Sequence, residues 1–250
     1  MALSIERPLP PAKAGNRIWE IDFLRGVAIL LMVAYHFGYD LVELAGVRTV
    51  LGIRVNLQSP PFQFLVSFFA GLFVALCGIS GTLTRSNIRR GLKLLAVALL
   101  VTAASFVFNR EETIFFGILH CLGVSLLLYG LILERAKPLT CLAAAGFIFG
   151  LTITVPLALK NVPIRFDWLL PFGVFSDTFS SFDYFPLLPW FGVFLVGAAA
   201  GKAFYSPRQS LLPPLSPVPL VNIAGRYSLW IYVIHQPVLL GLFTLLGLIK

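Results

Sequence analysis

The residues best placed to do chemistry lie in one stretch, 19–40, which reads WEIDFLRGVAILLMVAYHFGYD. It is long enough to cross a bilayer as a single helix, since each residue rises ~1.5 Å and about 20 residues span the hydrocarbon. It nevertheless carries Asp22, Arg25, His36 and Asp40. Arg25 and His36 stand eleven positions apart. At ~100° per residue that separation returns to within about 20° of the starting direction, roughly 16 Å further along the axis. Asp22, three before Arg25, and Asp40, four after His36, fall near the same stripe. An ionisable group inside a membrane costs about 2.5–3.5 kcal/mol on insertion scales, so such a stripe reads as the lining of a cavity or pathway. Imidazole takes and returns a proton near neutral pH, which suits His36 to act as general base on an attacking hydroxyl or amine. Asp40, one turn on, is placed to fix its tautomer and support the imidazolium. A core histidine bonded to a neighbouring helix is the plainer reading of His36 taken alone. Arg25 has two readings of its own, an anchor for an anionic ligand and an ion pair with Asp22.

Further polar groups sit in apolar surroundings. Arg85, Arg89, Arg90 and Lys93 form the densest basic cluster, suited to the phosphates of a nucleotide-like donor and equally accounted for as a topology signal. His120, in FFGILHCLGVS, reads either as a ligand contact or as a structural hydrogen bond. His235 and Gln236 lie mid-span in LWIYVIHQPVLLG, where Pro237 also frees a backbone carbonyl. Asp183, Tyr184 and Trp190 could bind a polar, ring-shaped acceptor or form an interfacial aromatic belt. Cys77, Cys121 and Cys141 are isolated in apolar runs without metal-ligand or disulfide spacing, so we expect inert thiols and no metal.

The elements that must carry these residues follow from composition. The chain has 250 residues, 58% hydrophobic and only 12% charged, with mean hydropathy +0.89. Ordinary globular chains carry about 25% charged residues. Apolar runs of about 17–22 residues succeed one another, and the short alternating segments of a membrane barrel are absent. The expected fold is all-α, a polytopic transmembrane bundle of about seven spans near 21–41, 62–83, 92–108, 114–133, 139–159, 185–203 and 228–249. Residues 1–16 read as a disordered basic tail, and 17–250 as a single membrane domain. The first apolar run starts late, contains charges and lacks a small-residue cleavage site, unlike a signal peptide. Within the domain, 160–186 form a long connection rich in Phe, Trp, Tyr and Pro, expected to fold back onto the bundle.

The net charge of +8 is no sign of nucleic-acid binding, because the basic residues occupy short loops. With the N-terminus inside, twelve lie on the inner side: Arg7, Lys13, Arg17, the four of 85–93, Arg135, Lys137, Lys202, Arg208 and Arg226. Six lie outside: Arg48, Arg54, Arg110, Lys160, Arg165 and Lys250. The excess predicts a cytoplasmic N-terminus, with Arg25 near the inner mouth, His36 in the outer half and 160–186 outside.

Five blocks in order, RxWEIDFLRGVAILLMVAYHF, GISG, FFGILHCLGVS, DYFPLLPWFGVFLVGAAAGK and GRYSLWIYVIHQP, resemble bacterial relatives of heparan-α-glucosaminide N-acetyltransferase. That family belongs to the transmembrane acyltransferases with an Arg-x10-His motif, here Arg25 and His36. The resemblance covers about 17–240. It implies a multi-pass protein of the bacterial inner membrane that moves an acyl group, usually acetyl, from cytoplasmic acyl-CoA to a sugar acceptor on the far side. It makes His36 the catalytic histidine, acting as base or as acyl carrier, and Arg25 the residue that holds the donor or polarises its thioester. The expected partners are membrane lipids, acetyl-CoA or another acyl-CoA, and a carbohydrate; a homo-oligomer is compatible with the sequence. Two other classes fit the same stripe. A transporter or flippase would use it as a substrate or proton path, and a noncatalytic scaffold would tolerate loss of both Arg25 and His36.

Overall fold

The computed structural model of the chain describes residues 17–47, 49–50, 53–54, 56–213 and 219–249. The expected tail, 1–16, lies outside the described residues, as do Arg48 and Lys250 of the charge count. Eight α-helices follow in order: α1 (Trp19–Tyr39), α2 (Pro60–Leu83), α3 (Asn87–Phe108), α4 (Ile118–Leu128), α5 (Pro138–Leu159), α6 (Leu187–Phe204), α7 (Pro219–Arg226) and α8 (Ser228–Leu245). Wider π turns prolong α1 over Asp40–Leu44 and α4 over Tyr129–Leu133. The only strands among the described residues, β1 (Thr49–Val50) and β2 (Ile53–Arg54), form a minimal antiparallel ladder pairing Thr49 with Arg54.

Six helices are long and apolar enough to cross a membrane, and Ile118–Leu133 is a shorter apolar one. The protein is an all-helical integral membrane bundle. Helix starts follow local chemistry: α2 and α5 open on proline, whose missing N–H is no loss in the first turn. Ser86 caps α3 by accepting from Arg89 N at 3.3 Å.

Helix α4 is the buried centre. Cys121, Leu122 and Leu126 pack there with Val74 of α2, Cys141 and Ala145 of α5, and Phe194 and Leu195 of α6. The helix begins at Ile118, later than the apolar run from 114 suggests, for a tertiary reason. Ile118 N donates to Asp183 Oδ2 at 2.9 Å, so a carboxylate from a distant loop caps the helix end. Gly117 makes room for it, since a Cβ there would overlap that same oxygen.

The connection 160–186 contains one 3-10 turn, Leu170–Phe172, and otherwise runs irregularly against the α3–α4 connection. Its backbone is satisfied there: Phe182 N donates to Glu112 O at 3.1 Å and Phe185 N to Phe116 O at 2.9 Å. Phe175, Phe179 and Tyr184 form an aromatic cluster with centroids 5.1–5.3 Å apart, both phenylalanines meeting Tyr184 edge-on. Helix α7, which the Pro-rich stretch before 220 hides in the sequence, lies against the start of α1. A Cβ on Gly225 would overlap the Asp22 carbonyl, and one on Gly26 the Val221 carbonyl, so glycine on both sides permits this crossing.

Candidate active site

Two polar clusters form on α1. The first, at its start, centres on Asp22. Arg25 Nη1 donates to Asp22 Oδ1 at 2.9 Å, while Arg25 Nη2 donates to Ser80 Oγ of α2 at 2.7 Å. Ser80 Oγ can accept because its own hydrogen goes to Leu76 O at 2.7 Å. Arg17 Nη1 and Arg226 Nε, the latter delivered by α7, approach Asp22 Oδ2 at 3.5 and 3.6 Å. Three guanidiniums around one carboxylate leave an excess of positive charge, which favours an anion. Arg90 of α3 adds to it, with Nη2 4.0 Å from Cys77 Sγ one turn before Ser80. Arg85 and Arg89 are exposed beyond this cluster, on the turn leading into α3 and on its first turn.

The second cluster joins the far end of α1 to α8. The rings of His36 and His235 lie with centroids 4.8 Å apart and planes tilted by 55°. One residue on, Gln236 Nε2 donates to both carboxylate oxygens of Asp40 at 3.0 Å. Asp40 is 1% exposed, so this amide holds a buried carboxylate and ties α8 to α1. The expected Asp40–His36 bond is not among those formed: the α-helical turn places the two on one stripe, but the carboxylate turns to α8. Tyr35 packs edge-on against His36 at 5.2 Å.

His235 is itself oriented from behind. Its Nδ1 donates to Tyr232 O at 2.6 Å, and Tyr232 Oη donates to Asp183 Oδ2 at 2.8 Å. Asp183 therefore receives hydrogen bonds from α4 and from α8. Burial raises its carboxyl above the ordinary range, against the pull of the Ile118 N–H and the Tyr232 hydroxyl. Tyr184 donates to Leu170 O at 2.7 Å, and burial pushes its phenol up to about 12. Trp190 packs on Phe185 at 4.8 Å. His120 Nε2 stands 3.2 Å from Thr102 Oγ1, whose hydrogen goes to Ile114 O at 2.6 Å, and its ring stacks on Phe116.

The structure thus brings His36, Asp40, His235 and Gln236 together, and Asp22, Arg25 and Arg90 likewise. Asp183 joins the first group through Tyr232. His120, Trp190 and Tyr184 sit apart from both, and no cluster of three or more His, Cys, Asp or Glu able to hold a metal occurs among the described residues. Sequence reading passed over Tyr232 and Ser80 as site residues and took Arg17 and Arg226 only as loop charges. Tyr232 had a legible signal, because it precedes His235 by three positions and shares its helix face.

A family profile described as heparan-alpha-glucosaminide N-acetyltransferase, catalytic, matches residues 17–237. The chain belongs to the heparan-alpha-glucosaminide N-acetyltransferase family. The match takes in both clusters, from Arg17 to Gln236, and assigns the chain to the membrane acetyltransferases. No curated protein and no solved structure matches it. In this heparan-alpha-glucosaminide N-acetyltransferase relative, a basic cluster and a histidine pair stand at opposite ends of one membrane-length helix.

Proposed function

We propose that this protein takes an acetyl group from cytoplasmic acetyl-CoA and delivers it to an amino or hydroxyl group of a carbohydrate on the outer side of a bacterial inner membrane. The observation that carries this reading is the pairing of family membership with two clusters on α1, roughly 16 Å apart by helical rise. The N-terminus faces the cytoplasm, as the inner excess of Lys and Arg favours. At the inner mouth, Arg25 meets the donor with Arg90, while Arg85 and Arg89 attract its phosphates from the rim.

His36 is the catalytic histidine, in contact with the reacting acyl carbon or the proton that moves with it. Asp40 acts through Gln236, by locking α8 beside it. His235 and Gln236 contact the acceptor's reacting group. Asp183, Tyr184 and Trp190, on the aromatic connection and the start of α6, shape the outer approach, where aromatic faces suit the apolar side of a sugar ring.

The test is thiol release from detergent-purified protein given acetyl-CoA and a panel of amino sugars and glycans. Wild type should release CoA only with an acceptor present, and His36→Ala should lose at least about 100-fold, as expected for removing a proton-transferring group. Release unchanged in His36→Ala would remove His36 from this role. Flux of an unmodified sugar with no thioester loss would replace acyl transfer by transport.

A further inference from the structure

Beside His36, α8 carries two buried acceptors with nothing to accept from. A backbone carbonyl only accepts, so the 2.6 Å contact to Tyr232 O fixes the ring hydrogen of His235 on Nδ1. Nε2 is left as a lone pair, buried and without a partner among the described residues. Gln236 Oε1 is in the same state, because a carboxylate also only accepts and Asp40 therefore claims the amide nitrogen. Buried acceptors are paired almost everywhere in folded proteins. Seven buried side-chain nitrogen or oxygen atoms lack a hydrogen-bond partner among the described residues, and these two, on consecutive residues beside His36, are suited to a ligand group that donates hydrogen bonds.

The geometry around this lone pair is fixed rather than loose. The Nδ1 bond to its own helix directs Nε2 away from the α8 backbone, and Tyr232 is in turn held by Asp183, which caps α4. The ring at 4.8 Å is His36. His36 itself forms no hydrogen bond with any described residue, so neither of its nitrogens is committed. One histidine is thus a preset base and the other is free to hold a proton at either edge.

We infer that His235 is a second catalytic base, whose Nε2 takes the proton of the acceptor's hydroxyl or amino group. The inference rests on the acetyl-transfer reading and divides the work between the two rings. The acceptor oxygen or nitrogen bonds to the thioester carbonyl carbon as its hydrogen passes to His235 Nε2. The carbon–sulfur bond breaks, with its electron pair leaving on the sulfur. The proton passes from His235 to His36 and on to the thiolate, giving CoA thiol and the acetylated acceptor with no net proton change. An acceptor that arrives as an ammonium first gives one proton to His235 Nε2, which releases it to solvent, and then reacts as the free amine. Gln236 Oε1, unable to take a proton, positions the same group by accepting its second hydrogen where the acceptor is an amine.

The experiment compares wild type with His235→Asn and His235→Gln, neither of which can accept a proton. Acetyl transfer is measured from acetyl-CoA to glucosamine, mostly an ammonium at neutral pH, and to hydroxylamine, mostly the free amine, with the enzyme-free reaction of each subtracted. Acetyl-CoA affinity is measured alongside. If His235 is the base, both variants keep wild-type donor affinity and lose about 100-fold or more with glucosamine but less than about tenfold with hydroxylamine. An equal loss with both acceptors, in whichever variant folds and binds donor, overturns the inference while leaving acetyl transfer standing. A wild type that cleaves no thioester with either acceptor overturns the acetyl-transfer reading, and the second base falls with it.

Discussion

Arg25 shows how much a single side chain can specify here. Its two terminal nitrogens serve different elements, Asp22 on α1 and Ser80 on α2. A guanidinium fork can do this because its donors diverge in one plane; a lysine ammonium is a point charge that cannot satisfy both positions at once. Arg25→Lys therefore keeps the charge and loses the geometry. In the acetyl-transfer reading we expect the KM for acetyl-CoA to rise about tenfold, equivalent to about 1.4 kcal/mol, with a smaller effect on kcat. Initial rates over a range of acetyl-CoA concentrations decide this, and an unchanged KM would leave Arg25 a purely structural partner of Asp22. His36 differs in kind. It has no fixed hydrogen bond to lose, so its replacement tests chemistry more directly than packing.

Between elements, the contact that sets the His36–His235 end is the Asp40–Gln236 clamp from the end of α1 to α8. Asp40 is fully buried, so removing its partner strands a charge-bearing group, which is costlier than removing both. Gln236→Leu should destabilise by about 2–4 kcal/mol, whereas Asp40→Asn, which keeps an acceptor for the Gln236 amide, should cost about 1 kcal/mol or less. Thermal unfolding in one detergent checks the order; equal melting temperatures would mean that the clamp holds nothing. The second junction is Asp183, which joins the N-terminus of α4 to Tyr232 of α8 and so to the turn that orients His235. Through these two junctions, α8 is registered against α1 on one side and against the buried helix on the other.

Over the whole molecule, function depends on which end faces which compartment. The ends of α6 make this testable, because Asp177 precedes the helix, Ser206 follows it, and both are exposed. Cys77, Cys121 and Cys141 are buried and should contribute little background labelling. In intact cells, a membrane-impermeant maleimide should modify Asp177→Cys and spare Ser206→Cys until the membrane is opened. The reverse pattern would invert the proposed orientation, putting the basic Asp22–Arg25 mouth outside and overturning the proposal of a cytoplasmic donor.

The sequence by itself determined whatever is local. Hydropathy marks the membrane helices, because burial in lipid is a property of each run of residues. The phase of Arg25 and His36 is equally local, since one helix with a fixed ~100° step carries both. The same reasoning put Asp40 on the stripe with His36 but could not say which way its carboxylate turns. Only the tertiary structure decided that, along with the pairing of His36 with His235, the capping of α4 by Asp183, and the arrival of Arg226 on the hidden helix α7. Each of these joins residues from 65 to 204 positions apart. Helical periodicity fixes the direction of a side chain within its own helix. Its hydrogen-bond partner depends on which helices pack together and at what depth, and that is settled by close approaches such as Gly225 on Asp22 rather than by any local repeat.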